Sequence, residues 1–149
     1  MPTPSDSPKP LPLLHSMELD VNIFDTDCYG VMWHGAYTKW LEMGRVKLLE
    51  AQGYAFPKPG DPEGYVFPVV EQTLKYKRSA PYGDKLVLST RLAVEGYKLL
   101  FLQNFRSQNT DQVTVEAVTT VVVVDAQWRV QRRLPEALKV IMGLSPGIA

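Results

Sequence analysis

The sequence contains a single cysteine and has no net charge. Its 149 residues include one cysteine, Cys28, so the chain lacks the thiols for an internal disulfide and the paired ligands of a structural zinc site. Sixteen basic side chains balance sixteen acidic ones, which argues against a nucleic-acid partner, since binding to a phosphate backbone needs excess positive charge. We therefore expect a protein of the reducing cytoplasm, without a metal or other cofactor.

Long hydrophobic runs are also missing. The most apolar segment, VTTVVVVDA, is far shorter than the roughly 20 residues of a membrane-spanning helix, so no membrane insertion is expected. The first 16 residues are rich in proline and lack the apolar region of a signal peptide, which predicts a flexible lead. Residues 17–149 are long enough for a single domain with its own core.

The apolar residues that are present follow two periods. Alternation predicts a first strand over residues 17–25, and a stripe at helical spacing predicts a long helix over residues 36–52. The segment LPEALKVIMG predicts a short final helix. Four segments between the helices have strand composition and short separating turns, which favours antiparallel pairing: residues 65–78, 85–95, 97–107 and 113–125. This order indicates an α+β domain whose sheet curls around one long helix.

The long helix carries two features that bear on its packing. Gly44 lies in the middle of the apolar stripe, although glycine costs about 1 kcal/mol relative to alanine inside a helix. Its presence there predicts that the helix packs closely on the sheet. Glu42 and Arg45 stand three residues apart and are placed to pair on the helix surface.

One stretch places several reactive side chains close together at the start of this helix. The run FDTDCYGVMWHGAYTKWLEMGR, residues 24–45, contains an Asp-x-Asp-x-x-Gly turn, then a histidine and a tyrosine three residues apart, then an acid and an arginine. It resembles the hotdog-fold acyl-CoA thioesterases of the 4-hydroxybenzoyl-CoA thioesterase family, including their Tol-Pal-associated branch. The segment LKYKRSAPYGDKLVL, residues 74–88, is also similar to that family.

The resemblance implies a single hotdog domain, in which a five-stranded antiparallel sheet wraps a long central helix. It also implies a homodimer with two active sites at the subunit interface, with assembly into a homotetramer left open. The implied activity is hydrolysis of acyl-CoA to a carboxylic acid and CoA. Two alternatives stay open: a thioesterase for aromatic acyl-CoA, such as hydroxybenzoyl- or dihydroxynaphthoyl-CoA, or for acyl carrier protein, and a non-catalytic hotdog module that binds acyl groups or a protein.

The same resemblance assigns catalytic roles. Asp27 is implied to be the catalytic carboxylate, either as nucleophile or as general base, because a thioester carbonyl is electrophilic enough for both routes. Without the family pattern, Asp27 reads as an ordinary turn former. Asp25 is expected to face the same way and to shape the turn. Backbone N–H groups from Val31 to His34 are expected to polarise the thioester carbonyl, and participation of the His34 imidazole stays open.

The resemblance indicates the substrate-binding residues less directly than the catalytic ones. Gly30 is expected to make the turn with a positive φ, and Tyr37 either lines the acyl pocket or packs in the core. Lys98 is expected to meet the phosphates of CoA, with a second option in the cluster Lys75, Lys77 and Arg78. Cys28 could be a nucleophile beside His34, but a small buried or half-buried thiol is the better reading, since nothing near it is basic enough to activate it.

Overall fold

The computed structural model describes residues 10–143, with side chains from residue 14 onward. Within this range the chain forms one antiparallel sheet, a long helix and a short helix. The strands are β1 Pro10–Asp20, β2 Val69–Tyr76, β3 Lys85–Glu95, β4 Lys98–Ser107 and β5 Val113–Val121, and the helices are α1 His34–Ala51 and α2 Glu136–Ile141. The sheet order is β1-β3-β4-β5-β2, so β1 and β2 are its two edges.

Helix α1 lies on the sheet through the predicted apolar stripe. Tyr37, Leu41, Gly44 and Leu48 are all buried, whereas Ala51, at the end of the predicted stripe, is exposed. A Cβ atom on Gly44 would lie 2.7 Å from Gln103 Nε2 and only 2.8 Å from side-chain atoms on β3. The close packing predicted at Gly44 is therefore confirmed.

All of the predicted elements occur, but several of their bounds differ from the prediction. Helix α1 begins at His34, two residues before the predicted start, and β3 has the predicted bounds. Strand β2 covers only Val69–Tyr76 of the predicted residues 65–78, and β5 ends at Val121 rather than at residue 125.

The first strand was predicted too late in the chain. Strand β1 begins at Pro10, so residues 10–16 of the predicted lead pair with β3, while residues 1–9 lie outside the described part of the chain. After Asp20 the chain leaves the sheet, and Ile23–Asp25 form a 3-10 turn where the strand was expected to continue. The polar residues His15 and Ser16 interrupt the apolar alternation by which a strand is recognised in a sequence. They are nevertheless part of β1, where they pair with Thr90 and Ser89 of β3.

Candidate active site

A tight hairpin leads into helix α1 and carries Asp27. Thr26 and Met32 form an antiparallel bridge, the Asp27 N–H donates to the Val31 carbonyl at 3.0 Å, and the Gly30 N–H donates to the Asp27 carbonyl at 3.0 Å. Gly30 has a φ of +75°, the left-handed conformation expected for it, which glycine adopts at little steric cost. The sequence thus builds a compact turn whose tip presents residues 27–30 to solvent.

The hairpin is docked onto the loop between β2 and β3. The Met32 N–H donates to the Ala80 carbonyl at 2.8 Å, and the Tyr82 N–H donates to the Gly30 carbonyl at 3.0 Å. Val31 pairs with Pro81 in an isolated bridge, and Ala80 is fully buried. The position of Asp27 therefore depends on residues 80–82 as well as on its own turn.

The two aspartates of the motif occupy different environments. Asp25 is 1% exposed; its Oδ2 accepts from the backbone N–H and the side-chain amide of Asn22, both at 3.0 Å, and Lys39 Nζ lies 3.6 Å from its Oδ1. Asp27 is exposed, and its Oδ1 accepts from the Tyr29 N–H at 2.8 Å. The expectation that both carboxylates face the same way was wrong, because the 3-10 turn at Ile23–Asp25 replaces the extended strand. Asp25 shapes the turn, as expected.

Helix α1 begins with two unused N–H groups. The Met32 and Trp33 N–H groups donate to the carbonyls of Ala80 and Asp25, so they are not available to a ligand. Within residues 10–143, the N–H groups of His34 and Gly35 have no acceptor, and Trp33, the N-cap residue, provides no side-chain cap. The helix dipole adds positive potential here. Of the donors expected from Val31 to His34, those of Met32 and Trp33 are therefore already used within the fold, and Gly35 adds an N–H that the sequence analysis did not consider.

Gly35 was missed by the sequence analysis. A Cβ atom at this position would lie 2.1 Å from the Trp33 ring, so the indole lies directly across the first turn of α1. The exposed His34 ring meets the same indole edge to face, with centroids 5.2 Å apart. Glycine is therefore required for the tryptophan ring to lie against the Cα atom of residue 35.

Tyr37 packs in the core and also borders a surface cavity. Its side chain is 2% exposed and meets Phe105 and Tyr76 edge to face, with ring centroids 5.1 and 5.9 Å apart. Burial raises the pKa of the Tyr37 hydroxyl above its ordinary value. The cavity, of about 280 Å³, is lined by Met32, Tyr37, Tyr76, Lys77, Arg78 and Ser79. Tyr37 therefore packs in the core, and its role in an acyl pocket stays a prediction.

Lys98 lies at the expected turn, as the first residue of β4, whereas Cys28 is not buried as expected. Lys98 pairs with Glu95 at one end of β3, whereas the Asp27 hairpin docks beside the other end of that strand, 11 residues or roughly 35 Å away. Lys98 therefore lies far from Asp27 within one protomer. Cys28 is exposed at the hairpin tip rather than buried or half-buried.

A larger cavity beside α1 was also missed. It has a volume of about 350 Å³ and is lined by Glu42, Arg45, Val46, Leu49, Phe56, Val66, Phe67, Pro68, Phe101, Val121 and Trp128. We call it the helix-flank cavity. The sequence pattern did not reveal it, because the fold alone brings α1, β4 and β5 together with irregular segments that contain Phe56 and Trp128.

The described part of the chain contains neither a membrane-spanning helix nor a metal-binding cluster. Among these residues, no helix is both long and apolar enough to cross a membrane. No three histidine, cysteine or acidic side chains there are grouped so that they could hold a metal ion.

A long helix on a five-stranded antiparallel sheet is the hotdog arrangement. The chain belongs to the thioesterase-like superfamily, whose family model matches residues 21–141. The acyl-CoA thioester hydrolase YbgC of Escherichia coli O6:H1 is 29% identical over 76% of this chain and 84% of its own length.

Solved structures show the same fold at lower identity. Slr0204, a 1,4-dihydroxy-2-naphthoyl-CoA thioesterase from Synechocystis, is 15% identical and superposes with a TM-score of 0.77 over 87% of this chain and 96% of its own. A mutant 4-hydroxybenzoyl-CoA thioesterase in complex with 4-hydroxybenzoyl-CoA is 14% identical, with a TM-score of 0.73 over 87% of this chain and 99% of its own. The predicted family and the predicted α+β hotdog fold are thus confirmed.

Proposed function

We propose that this protein hydrolyses acyl-CoA to a free carboxylic acid and CoA, with Asp27 as the catalytic carboxylate. The observation that carries the proposal is the exposed Asp27 side chain on a hairpin that runs directly into two helix N–H groups without an acceptor among residues 10–143. A carboxylate beside backbone donors is what acyl transfer needs: one group to attack or to activate water, and donors for the oxygen that becomes negatively charged.

The chemistry follows from this arrangement by one of two routes. The thioester oxygen accepts hydrogen bonds from the N–H groups of His34 and Gly35, where the helix dipole favours negative charge. In the first route the Asp27 carboxylate attacks the carbonyl carbon, the C–S bond breaks, CoA leaves as its thiolate, and water then hydrolyses the mixed anhydride. In the second route Asp27 takes a proton from a water molecule that attacks the carbonyl carbon instead, the C–S bond breaks, and CoA again leaves as its thiolate. The His34 imidazole is not needed in either route.

We propose that the active unit is a homodimer, with a homotetramer as a further level of assembly. Strand β2 supports this proposal, because it is an edge strand bonded only to β5 and exposes the apolar side chains of Val69, Val70 and Tyr76. An exposed apolar edge strand readily pairs with another chain. Within one protomer Lys98 lies at the far end of the sheet from Asp27. A dimer would instead allow Lys98 of the second copy to reach the site.

The phosphates of CoA require cations near the site. Lys77 and Arg78 border the cavity that is lined by Tyr37 and Met32. Their position supports these two residues, the alternative to Lys98, as phosphate contacts. Lys77 also has an acidic neighbour, Glu116, at 3.7 Å. The two proposed phosphate contacts are Lys98 of a second copy and Arg78 of the same copy. The KM for acyl-CoA is compared between Lys98→Ala and Arg78→Ala, and the variant with the higher KM identifies the residue that contacts the phosphates.

Replacing Asp27 by asparagine tests the catalytic assignment. Asparagine keeps an oxygen that can accept from the Tyr29 N–H, so the hairpin and the melting temperature should be unchanged. Loss of a positioned base or nucleophile should lower kcat by a factor of about 10² to 10⁴. Thiol release with a chromogenic reagent, measured over short, long and aromatic acyl-CoA substrates, gives the rate.

Asp61 provides a matched control. Its Oδ1 accepts from the Glu63 N–H at 2.9 Å, the same i to i+2 contact that Asp27 makes, in an exposed loop outside the site. Asp61→Asn should therefore keep full activity. If Asp27→Asn turns over as fast as the wild type, Asp27 is not the catalytic carboxylate; if Cys28→Ala alone abolishes turnover at unchanged stability, the thiol is the nucleophile.

The alternatives predict different results from the same substrate panel. Turnover restricted to aromatic acyl-CoA would favour an activity like those named for the two structural neighbours. Turnover restricted to acyl carrier protein thioesters would identify that carrier instead of CoA. Binding without turnover of any thioester would favour a non-catalytic hotdog module. The single cysteine is consistent with the cytoplasm as the place of action.

A further inference from the structure

The helix-flank cavity is an apolar site beside α1 that the catalytic proposal does not use. Its walls include three phenylalanines, Phe56, Phe67 and Phe101, together with the aliphatic side chains of Leu49 and Val121. Its volume of about 350 Å³ falls in the range of small-molecule pockets, which are concave and mostly apolar. It is therefore large enough for part of a ligand.

The cavity continues the face of α1 on which His34 lies. Thr38, Glu42, Arg45 and Leu49 follow His34 at intervals of three or four residues, so they form one stripe along the helix. Glu42 lies eight residues after His34, about 12 Å along the axis at 1.5 Å per residue. A ligand held at the first turn of α1 can thus extend along this stripe into the cavity.

The polarity of the cavity changes along this direction. Glu42 and Arg45 lie at the end nearer His34, and Leu49, one turn further, belongs to the apolar end. Burial lowers the pKa of the Arg45 guanidinium, and Glu42 opposes this shift. The two side chains do not form the direct ion pair placed there by the sequence analysis; Arg45 Nη1 instead lies 3.5 Å from Thr119 Oγ1. The end of the cavity nearer His34 thus carries charged side chains and the further end apolar ones, which suits an acyl chain.

Trp128 forms the outer wall, and its loop holds it in an unusual conformation. Its φ of +62° is uncommon for a bulky residue, and its side chain is 71% exposed although it lines the cavity. Asp125 stabilises this loop, because its Oδ1 accepts from the N–H groups of Gln127 and Arg129 at 2.9 and 3.0 Å. Strained backbone of this kind persists where the surroundings impose it, often at binding sites.

We infer that the helix-flank cavity binds the distal part of an aliphatic acyl chain and that Trp128 limits the length of the chain. This inference rests on the proposed thioesterase activity and adds the substrate class. An aromatic ring attached directly to the thioester carbonyl is shorter than the separation between His34 and Glu42, so it does not reach the cavity. A flexible hydrocarbon chain reaches it and finds an apolar surface there.

A chain-length series tests the inference. The values of kcat/KM are measured for saturated acyl-CoA substrates from short to long, with the wild type, Val46→Phe and Trp128→Ala. Val46→Phe places a ring in the cavity from α1 and should lower kcat/KM for long chains by at least about tenfold relative to short ones. Trp128→Ala opens the outer wall and should move the optimum to longer chains. The exposed position of Trp128 leaves the fold of this variant intact.

The control is Val140→Phe, a valine-to-phenylalanine change on the exposed surface of α2, which should leave the length profile unchanged. Wild-type activity with the same length profile in all variants would overturn the inference while leaving the proposed activity intact. A changed oligomeric state of Val46→Phe, with an unchanged profile, would overturn it in favour of a second copy filling the cavity. Absence of wild-type activity on every thioester would instead refute the proposed function.

Discussion

Replacing Gly44 by alanine places a methyl group in the contact between α1 and the sheet. The new Cβ would lie 2.7 Å from Gln103 Nε2 and 2.8 Å from both Leu88 Cδ2 and Thr90 Oγ1, all shorter than ordinary contacts. None of these atoms can move freely. Leu88 and Thr90 are fully buried, and Gln103 Nε2 donates to the Leu41 carbonyl and to Thr90 Oγ1, both at 3.0 Å.

The expected cost can be worked out from opposing effects. Alanine improves the helix propensity at Gly44 by about 1 kcal/mol. Overpacking a buried contact costs about 1–3 kcal/mol, and loss of the two hydrogen bonds of Gln103 costs about 1 kcal/mol each. The net loss in free energy of unfolding is therefore about 2–4 kcal/mol. For a chain of this size, that corresponds to a fall in melting temperature of about 6–12 °C.

Thermal and urea unfolding followed by circular dichroism measure this loss. Met43→Ala is the matched control: it lies next to Gly44 in the sequence, its side chain is exposed, and the change introduces alanine without a clash. We expect Met43→Ala to stay close to the wild type. A Gly44→Ala protein as stable as the wild type, or more stable, would refute the reasoning, because helix propensity would then outweigh the packing conflict.

Two further predictions concern aspartates outside the catalytic assignment. Asp25→Asn removes the charge of a buried carboxylate that accepts two hydrogen bonds from Asn22, and should lower the free energy of unfolding in urea by about 2 kcal/mol. The backbone N–H of Arg129 is the main cause that lowers the pKa of Asp125 below 3.8. The stabilisation from Asp125 is thus present above about pH 4 and is lost as pH falls through the lowered pKa. We therefore expect acrylamide to quench the fluorescence of Trp128 more strongly in acid. Subtracting the signal of a Trp128→Phe variant isolates the contribution of Trp128.

Local alternation made most of the sheet predictable. In β3, Leu86, Leu88 and Thr90 are all fully buried and alternate with less buried neighbours, so the pattern in the sequence is the pattern of burial. Strand β1 was less predictable, because residues such as His15 and Ser16 form strand through their register with β3 rather than through their own preference.

The candidate site was predictable only where one short segment determines it. Gly30 adopts the positive φ expected from its place in the turn, and Asp27 lies exposed on that turn. Which N–H groups remain available was not predictable. The Met32 amide is used by the carbonyl of Ala80, a residue of the loop between β2 and β3, and that contact depends on how the chain folds back.

The two flanks of α1 connect the packing of the helix to its proposed role. One flank approaches the sheet so closely at Gly44 that no side chain fits there. The adjacent flank, with Arg45 and Leu49, faces the helix-flank cavity, whose opposite walls include Phe101 and Val121 of the same sheet. Because the contact at Gly44 sets the height of the helix above the sheet, it also sets the width of the cavity. A side chain at position 44 would lift the helix, so the closeness of this contact bears on the site as well as on stability.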